Sequence, residues 1–116
     1  MNLKHFSLDE FNCQVTGENR MEQDFLQQLD NLRLACGFAF VITSGYRHPT
    51  KHPIEVAKEV PGTHAQGIAA DIKITNAADR YCCIKEALNL GFTGIGVAKD
   101  FIHVDTRGTK PVVWLY

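Results

Sequence analysis

"GTHAQGIAADIKI", residues 62–74, decides how the chain folds. From Gly67 onward Ile68, Ala70, Ile72 and Ile74 alternate with Ala69, Asp71 and Lys73, the period of two expected of a strand with one buried face. The isoleucines take that face, so Asp71 looks out from the other. "FIHVDTR", residues 101–107, repeats the pattern: Ile102 and Val104 share one side and leave His103 and Asp105 on the opposite one. If the two strands pair with their isoleucine faces on one core, Asp71 and His103 project into a common concavity. His64, in the turn before the first strand, can then fold over to meet them. Two imidazoles and one carboxylate are a recurrent ligand set for catalytic zinc, with the fourth position left to water. One carboxylate against a dication leaves such a site net positive, which helps it polarise a carbonyl and acidify water. Spacing alone leaves a plainer alternative open, in which a polar turn runs into a strand and the side chains never meet.

The flanking segments supply the remaining elements. "SLDE", residues 7–10, has the form of a capping box and predicts a short helical turn. Met21, Phe25, Leu29 and Leu32, with Leu26 and Cys36 beside them, recur at helical spacing and stop at Gly37, which predicts a helix over residues 21–36. "FAFVIT", residues 38–43, reads as a buried strand entering a turn at Ser44 and Gly45. Residues 48–62 hold three of the four prolines and no sustained period, so they read as a loop with one helical turn near Ile54 to Lys58. Asn76 caps a second helix, whose Ala77, Tyr81, Ile84 and Leu88 form an apolar stripe ending at Gly91. "GFTGIGV", residues 91–97, lacks the lysine and the helix of a phosphate loop and reads as a turn into two final strands, "FIHVDT" and "VVWLY". The fold class expected is α+β: two main helices on one face of a small, mainly antiparallel sheet of four or so strands, with the zinc cleft on the other face.

Composition narrows the function classes. At 116 residues a single domain over 1–116 is expected, long enough to bury a core without disulfides. A net charge of -1 offers no basic excess for nucleic acid, and no window reaches membrane-spanning length. The amino-terminal segment lacks the apolar run of a secretory signal, so synthesis in the cytoplasm is expected. The four cysteines show no CxxC spacing and read as reduced, mostly buried apolar residues.

Three segments in order, "SGYRHP", "GTHAQGIAADI" and "FIHVDTRG", closely resemble the signature segments of the D-alanyl-D-alanine carboxypeptidase-like zinc peptidases, which include peptidoglycan peptidases of bacteria and phages. The amino-terminal domain of hedgehog proteins is similar in metal site. The likeness runs from "HFSLDEF" to the carboxyl end. It implies one Zn²⁺ on His64, Asp71 and His103. It also implies that Asp100 is the acidic base that takes a proton from water, and that Arg47 holds a substrate carboxylate or stabilises the oxyanion. These roles suit amide hydrolysis, which needs a base and positive charge where the tetrahedral intermediate becomes anionic. Asp100 and His103 are an odd interval apart, so Asp100 has to lie in a bend at the strand entrance to fill its role. Gly62 stands where relatives commonly have serine, and residues 48–62 depart from the family's loop.

The implied activity is zinc-dependent hydrolysis of a peptide bond in peptidoglycan stem peptides or cross-links, by a carboxypeptidase or an endolysin-like endopeptidase. The implied partner is the peptide substrate, with neither nucleic acid nor membrane insertion, and the chain is expected to be a monomer. It would act on the cell wall after release or delivery, and small size makes a phage or prophage source attractive. The alternative is a zinc-stabilised binding module without catalysis. Asp105 either orients the His103 imidazole or pairs with Arg107; Tyr46 and Trp114 either line the cleft or join the core. His5 reads as a surface residue; His48 and His52 read as solvated loop residues, either of which could instead touch substrate or the transition state.

Overall fold

A computed structural model describes residues 3–116. Strands β1 (Ile42–Ser44), β2 (Ala69–Lys73), β3 (Gly94–Val97), β4 (Phe101–Asp105) and β5 (Val112–Leu115) form one five-stranded sheet in the order β1-β2-β4-β3-β5. The β1–β2, β2–β4 and β3–β4 pairings are antiparallel, and β5 runs parallel to β3. The fold is α+β as expected, with a sheet that is mixed rather than mainly antiparallel.

Ala70, Ile72, Ile95, Ile102 and Val104 are buried on one face of the sheet, where they meet Phe25, Leu26, Leu29 and Leu32 of helix α1 (Gln23–Cys36) and Cys83 and Ala87 of helix α3 (Ala77–Asn89). Each large aliphatic side chain in this layer contributes roughly 1.5–3 kcal/mol by leaving water. Helix α1 ends at Gly37, which takes the left-handed conformation that a C-terminal cap requires. Its start is fixed by Glu22, whose N–H donates to Gly67 O at 2.9 Å, so the helix is tied to the turn that carries His64. The Asn76 side chain accepts the Asp79 N–H at 2.8 Å and caps α3. The "SLDE" segment forms a 3-10 turn, Leu8–Phe11, with the Glu10 carboxylate accepting the Ser7 N–H. All four cysteines are free. Among the described residues no helix is long and apolar enough to cross a membrane.

Three sequence expectations are corrected. Residues 94–97 are a strand next to the centre of the sheet, not part of a turn; the two glycines that lower its strand propensity leave room for neighbouring side chains. In α3 the buried residues are Cys83 and Ala87, whereas Tyr81 and Leu88 of the supposed stripe are 70% and 56% exposed. A helix this close to the sheet seats small side chains, which a search for large apolar residues overlooks. The segment 38–43 pairs only from Ile42, where the register is irregular. Before that point Val41 O accepts the Lys73 N–H at 2.8 Å, while Phe38 and Phe40 pack with tilted rings at 5.4 Å and Phe40 meets Phe6 at 6.3 Å, so ring packing takes the place of most of a ladder. Short helix α2 (Pro53–Val56) is the turn expected in the 48–62 loop, capped by the His52 ring accepting the Ile54 N–H.

Candidate metal centre

The pairing register lays one row of residues across the cleft face. Ser44 lies opposite Asp71, Asp71 opposite His103, His103 opposite Gly96, and Gly96 opposite Trp114. Asp71 and His103 are therefore direct cross-strand neighbours on the central strands, where residues on one face stand about 5 Å apart. His64 reaches them from the turn 62–67, which closes through Gln66 N–H to Gly62 O and Gly67 N–H to His64 O. Gly67 has φ +77, and a Cβ there would collide with Arg20 O, so only glycine allows this turn to sit against the chain before α1.

His64 Nε2, Asp71 Oδ1 and His103 Nδ1 converge. Asp71 Oδ1 is 3.2 Å from His64 Nε2 and 3.1 Å from His103 Nδ1, and the two ring nitrogens are 3.2 Å apart. Tetrahedral ligands about 2.05 Å from zinc stand roughly 3.3 Å from one another, so the triangle has the size and donor chemistry of a three-ligand zinc site. All three residues are buried, and among the described residues they are the one group of donors close enough to share an ion.

Each imidazole is aimed by its other nitrogen. His64 Nδ1–H donates to Gly45 O at 2.8 Å, and His103 Nε2–H donates to Asp105 Oδ2 at 2.7 Å. Asp105 is fully buried and also accepts the Arg107 guanidinium at 2.7 Å, so orientation of the ligand and pairing with Arg107 are both realised. Gly94, opposite Asp105, makes space for that carboxylate: a Cβ there would overlap its oxygens. Burial opposes charge on His103, but Asp105 and Asp71 outweigh it and raise its pKa. Burial likewise works to raise both carboxyls; for Asp71 the contacts with His103 and His64 prevail, and for Asp105 those with His103 and Arg107, so both lie well below the usual range. The site is thus electrostatically suited to hold a cation between its donors.

His64 and His103 open onto a cleft of about 440 Å³ that includes Arg47, Lys58, Thr63, Arg107, Trp114 and Tyr116, and among the described residues no carboxylate beyond the ligand Asp71 stands at it. Arg47 is 3.4 Å from Asp71 Oδ2 and 3.7 Å from Glu55, and its Nε–H donates to Ser44 Oγ at 3.1 Å. The structure therefore brings Arg47, His64, Asp71 and His103 together. It does not bring Asp100 to them. Asp100 lies in the bend between β3 and β4, but its side chain is exposed and does not line the cleft. It stands just outside the start of β4 (Phe101–Asp105), which carries His103. Trp114 lines the cleft, 5.1 Å from the His103 ring, whereas Tyr46 is 2% exposed and belongs to the core. His5 is exposed; His48 and His52 are half-buried rather than solvated.

Sequence reasoning missed Glu55, a fully buried carboxylate in a loop. It accepts the Gly62 N–H at 2.9 Å and pairs with Lys58 at 3.0 Å. Burial pushes its pKa up, but the Gly62 N–H and the Lys58 ammonium more than offset this and leave it lowered. The alternation of "IEVAKEV" gave no sign that one glutamate of the run turns inward. A family model described as Peptidase M15 matches residues 4–105. No curated protein matches the chain.

Proposed function

Because the chain belongs to the Peptidase M15 family, the D-Ala-D-Ala carboxypeptidase-like zinc peptidases, we propose that it hydrolyses a peptide bond in the stem peptides or cross-links of bacterial peptidoglycan. The observation that carries this reading is the triangle of His64, Asp71 and His103 donors with edges of 3.1–3.2 Å at the floor of an open cleft. Zinc held by these three residues would supply Lewis acidity toward a peptide carbonyl and would acidify water. The residues do the rest. Asp105 holds the proton of His103 on Nε2 and leaves Nδ1 free to ligate. Arg47 directs positive charge into the cleft, where it can hold a substrate carboxylate or the developing oxyanion. Trp114 and Tyr116 form an aromatic wall opposite Arg47 and Lys58, against which the peptide chain lies. The base role implied for Asp100 finds no support in its exposed position. The site of action is the cell wall, reached by release or delivery.

A second reading has one observation in its favour: among the described residues no carboxylate beyond the ligand Asp71 stands at the cleft, which suits a zinc-stabilised wall-binding module without catalysis. Mass spectrometry of purified peptidoglycan fragments separates the two. Incubation with zinc-loaded protein is expected to produce new peptide termini, to stop on chelation and to resume when zinc is restored. Sedimentation with intact walls and no new termini sinks the peptidase and leaves the binder.

A further inference from the structure

Three of the four cysteines meet on the helix side of the sheet, across it from the metal centre. Cys36 is the last residue of α1, and Cys82 and Cys83 lie in the second turn of α3. The Cys82 thiol donates to Cys36 O at 3.7 Å, and the Cys36 thiol also meets the thiols of both Cys82 and Cys83. Adjacent helical residues point about 100° apart, so Cys83 turns into the core and is fully buried while Cys82 stays at the rim of the helix seam. Cys36 and Cys82 are both half-buried and within reach of solvent. The metal centre uses none of these thiols, since its donors are two histidines and an aspartate. Thiolates, not thiols, react, and the two accessible cysteines differ in how readily they ionise. The Cys83 thiol and burial push Cys36 far up. Burial and the Cys36 thiol also raise Cys82, with the Lys85 ammonium working the other way, so Cys82 ionises first.

We propose that Cys36 and Cys82 form a modification site, which a low-molecular-weight disulfide oxidises to a disulfide bridge joining α1 to α3. The Cys82 thiolate attacks one sulfur of the oxidant; a mixed disulfide forms and one thiolate leaves, taking up the proton that Cys82 gave up. The Cys36 sulfur then attacks Cys82 Sγ, the bond to the oxidant's sulfur breaks, and the Cys36 proton goes to the second departing thiolate. Two protein thiols are oxidised and one external disulfide is reduced to two thiols. Contact between side chains of neighbouring elements is the condition for such a bridge, because cysteines held further apart cannot be joined without moving the backbone. The bridge spans 46 positions of chain, a segment that contains Arg47, Glu55, His64 and Asp71. Closing so long a loop restricts the unfolded chain and leaves the cleft, on the other face of the sheet, as it is. A bridge of this kind persists in oxidising surroundings outside the cytoplasm. The assignment is independent of the peptidase reading.

Glutathione disulfide is the probe, applied to the full chain at mildly alkaline pH, where more of Cys82 is thiolate. Intact-mass spectrometry is expected to show the loss of two hydrogens with no glutathione retained, and peptide mapping to place the bridge between Cys36 and Cys82. The melting temperature should rise by about 10 °C and fall back on reduction. Cys36→Ser should instead keep one glutathione on Cys82 and show no such rise. Cys83→Ala should still form the bridge, since its thiol takes no part in the exchange. The wild-type measurement decides the matter even if a variant folds poorly. Four free thiols after treatment overturn the proposal, as does glutathione retained by the wild type or a bridge made through Cys83 or Cys13. So does a folded chain that pairs its cysteines no more selectively than one unfolded in guanidinium chloride. Peptidoglycan cleavage bears on none of these results, so the bridge and the peptidase reading stand or fall separately.

Discussion

Asp105 touches no substrate, yet its bond to Nε2 decides which nitrogen His103 offers to a metal. Replacing it by asparagine keeps the shape and removes the charge, and losses of this kind typically weaken metal binding about 10–100-fold. Asp105→Asn should show that drop in zinc competition against a chromophoric chelator; unchanged affinity would mean that the strand alone aims the ring. Asp100 predicts the opposite. With its side chain exposed and absent from the cleft lining, Asp100→Asn should hydrolyse peptidoglycan peptides within about threefold of the wild type. A loss beyond about a hundredfold would return the base to Asp100 and require the hairpin to bend inward in the working enzyme. The facing of Asp71 and His103 was legible in the sequence because strand alternation fixes which side of the sheet a residue faces, whereas His64 lies in a turn and was singled out by the family resemblance. The expectation for Asp100 is of another kind: its interval to His103 is a linear spacing, and whether it leads into the cleft depends on a hairpin whose geometry no spacing states. Glu55 was illegible for a different reason, since inward rotation of a loop carboxylate depends on partners, Gly62 and Arg47, that lie outside its own helical turn.

Strand β3 shows how an element can be hidden by the feature that makes it useful. Gly94 and Gly96 weaken the strand signal, and both leave their space to neighbours, the Asp105 carboxylate at one and the Trp114 and Tyr116 rings at the other. Gly94→Ala should destabilise the protein by about 1–3 kcal/mol and weaken zinc binding as well, because the displaced carboxylate is the one that orients His103. Gly67→Ala combines a left-handed backbone with a collision against Arg20 O, so a loss of about 3 kcal/mol and a melting temperature lower by on the order of 10 °C are expected. Gly108→Ala is the control, with nothing within 4 Å and no left-handed φ; thermal melts that fail to separate it from Gly67→Ala would refute the packing account. The long helix α1 was readable because large apolar residues repeat on its buried side. Helix α3 was placed correctly by Asn76 and Gly91 but assigned the wrong face, because Cys83 and Ala87 carry too little bulk to outweigh Tyr81 and Leu88.

For the whole molecule, acid loosens the loop that walls the cleft. The Glu55 carboxyl is lowered in the folded state, so its contribution is complete above the unfolded value near about 4.3 and is lost as pH falls through the folded one. Proteolytic nicking within residues 48–62 should therefore rise below about pH 4, and in Glu55→Gln it should already be high at neutral pH; a loop equally resistant in both proteins would contradict the anchor. Zinc gives a second global effect, since an ion that binds only the folded chain stabilises it by about 2.7 kcal/mol at roughly a hundred times its dissociation constant. The row Ser44, Asp71, His103, Gly96 and Trp114 has a consequence even without an ion. Sliding β4 past its neighbours by one position would drive His103 and Asp105 into the aliphatic layer and turn Ile102 and Val104 toward water. Several kcal/mol for each buried, unmatched charge is a heavy penalty beside a total stability of about 5–15 kcal/mol. The residues that receive the metal thus also proofread strand alignment, and the zinc-free chain should fold with the same amide-exchange pattern across β2, β4 and β3 as the loaded one.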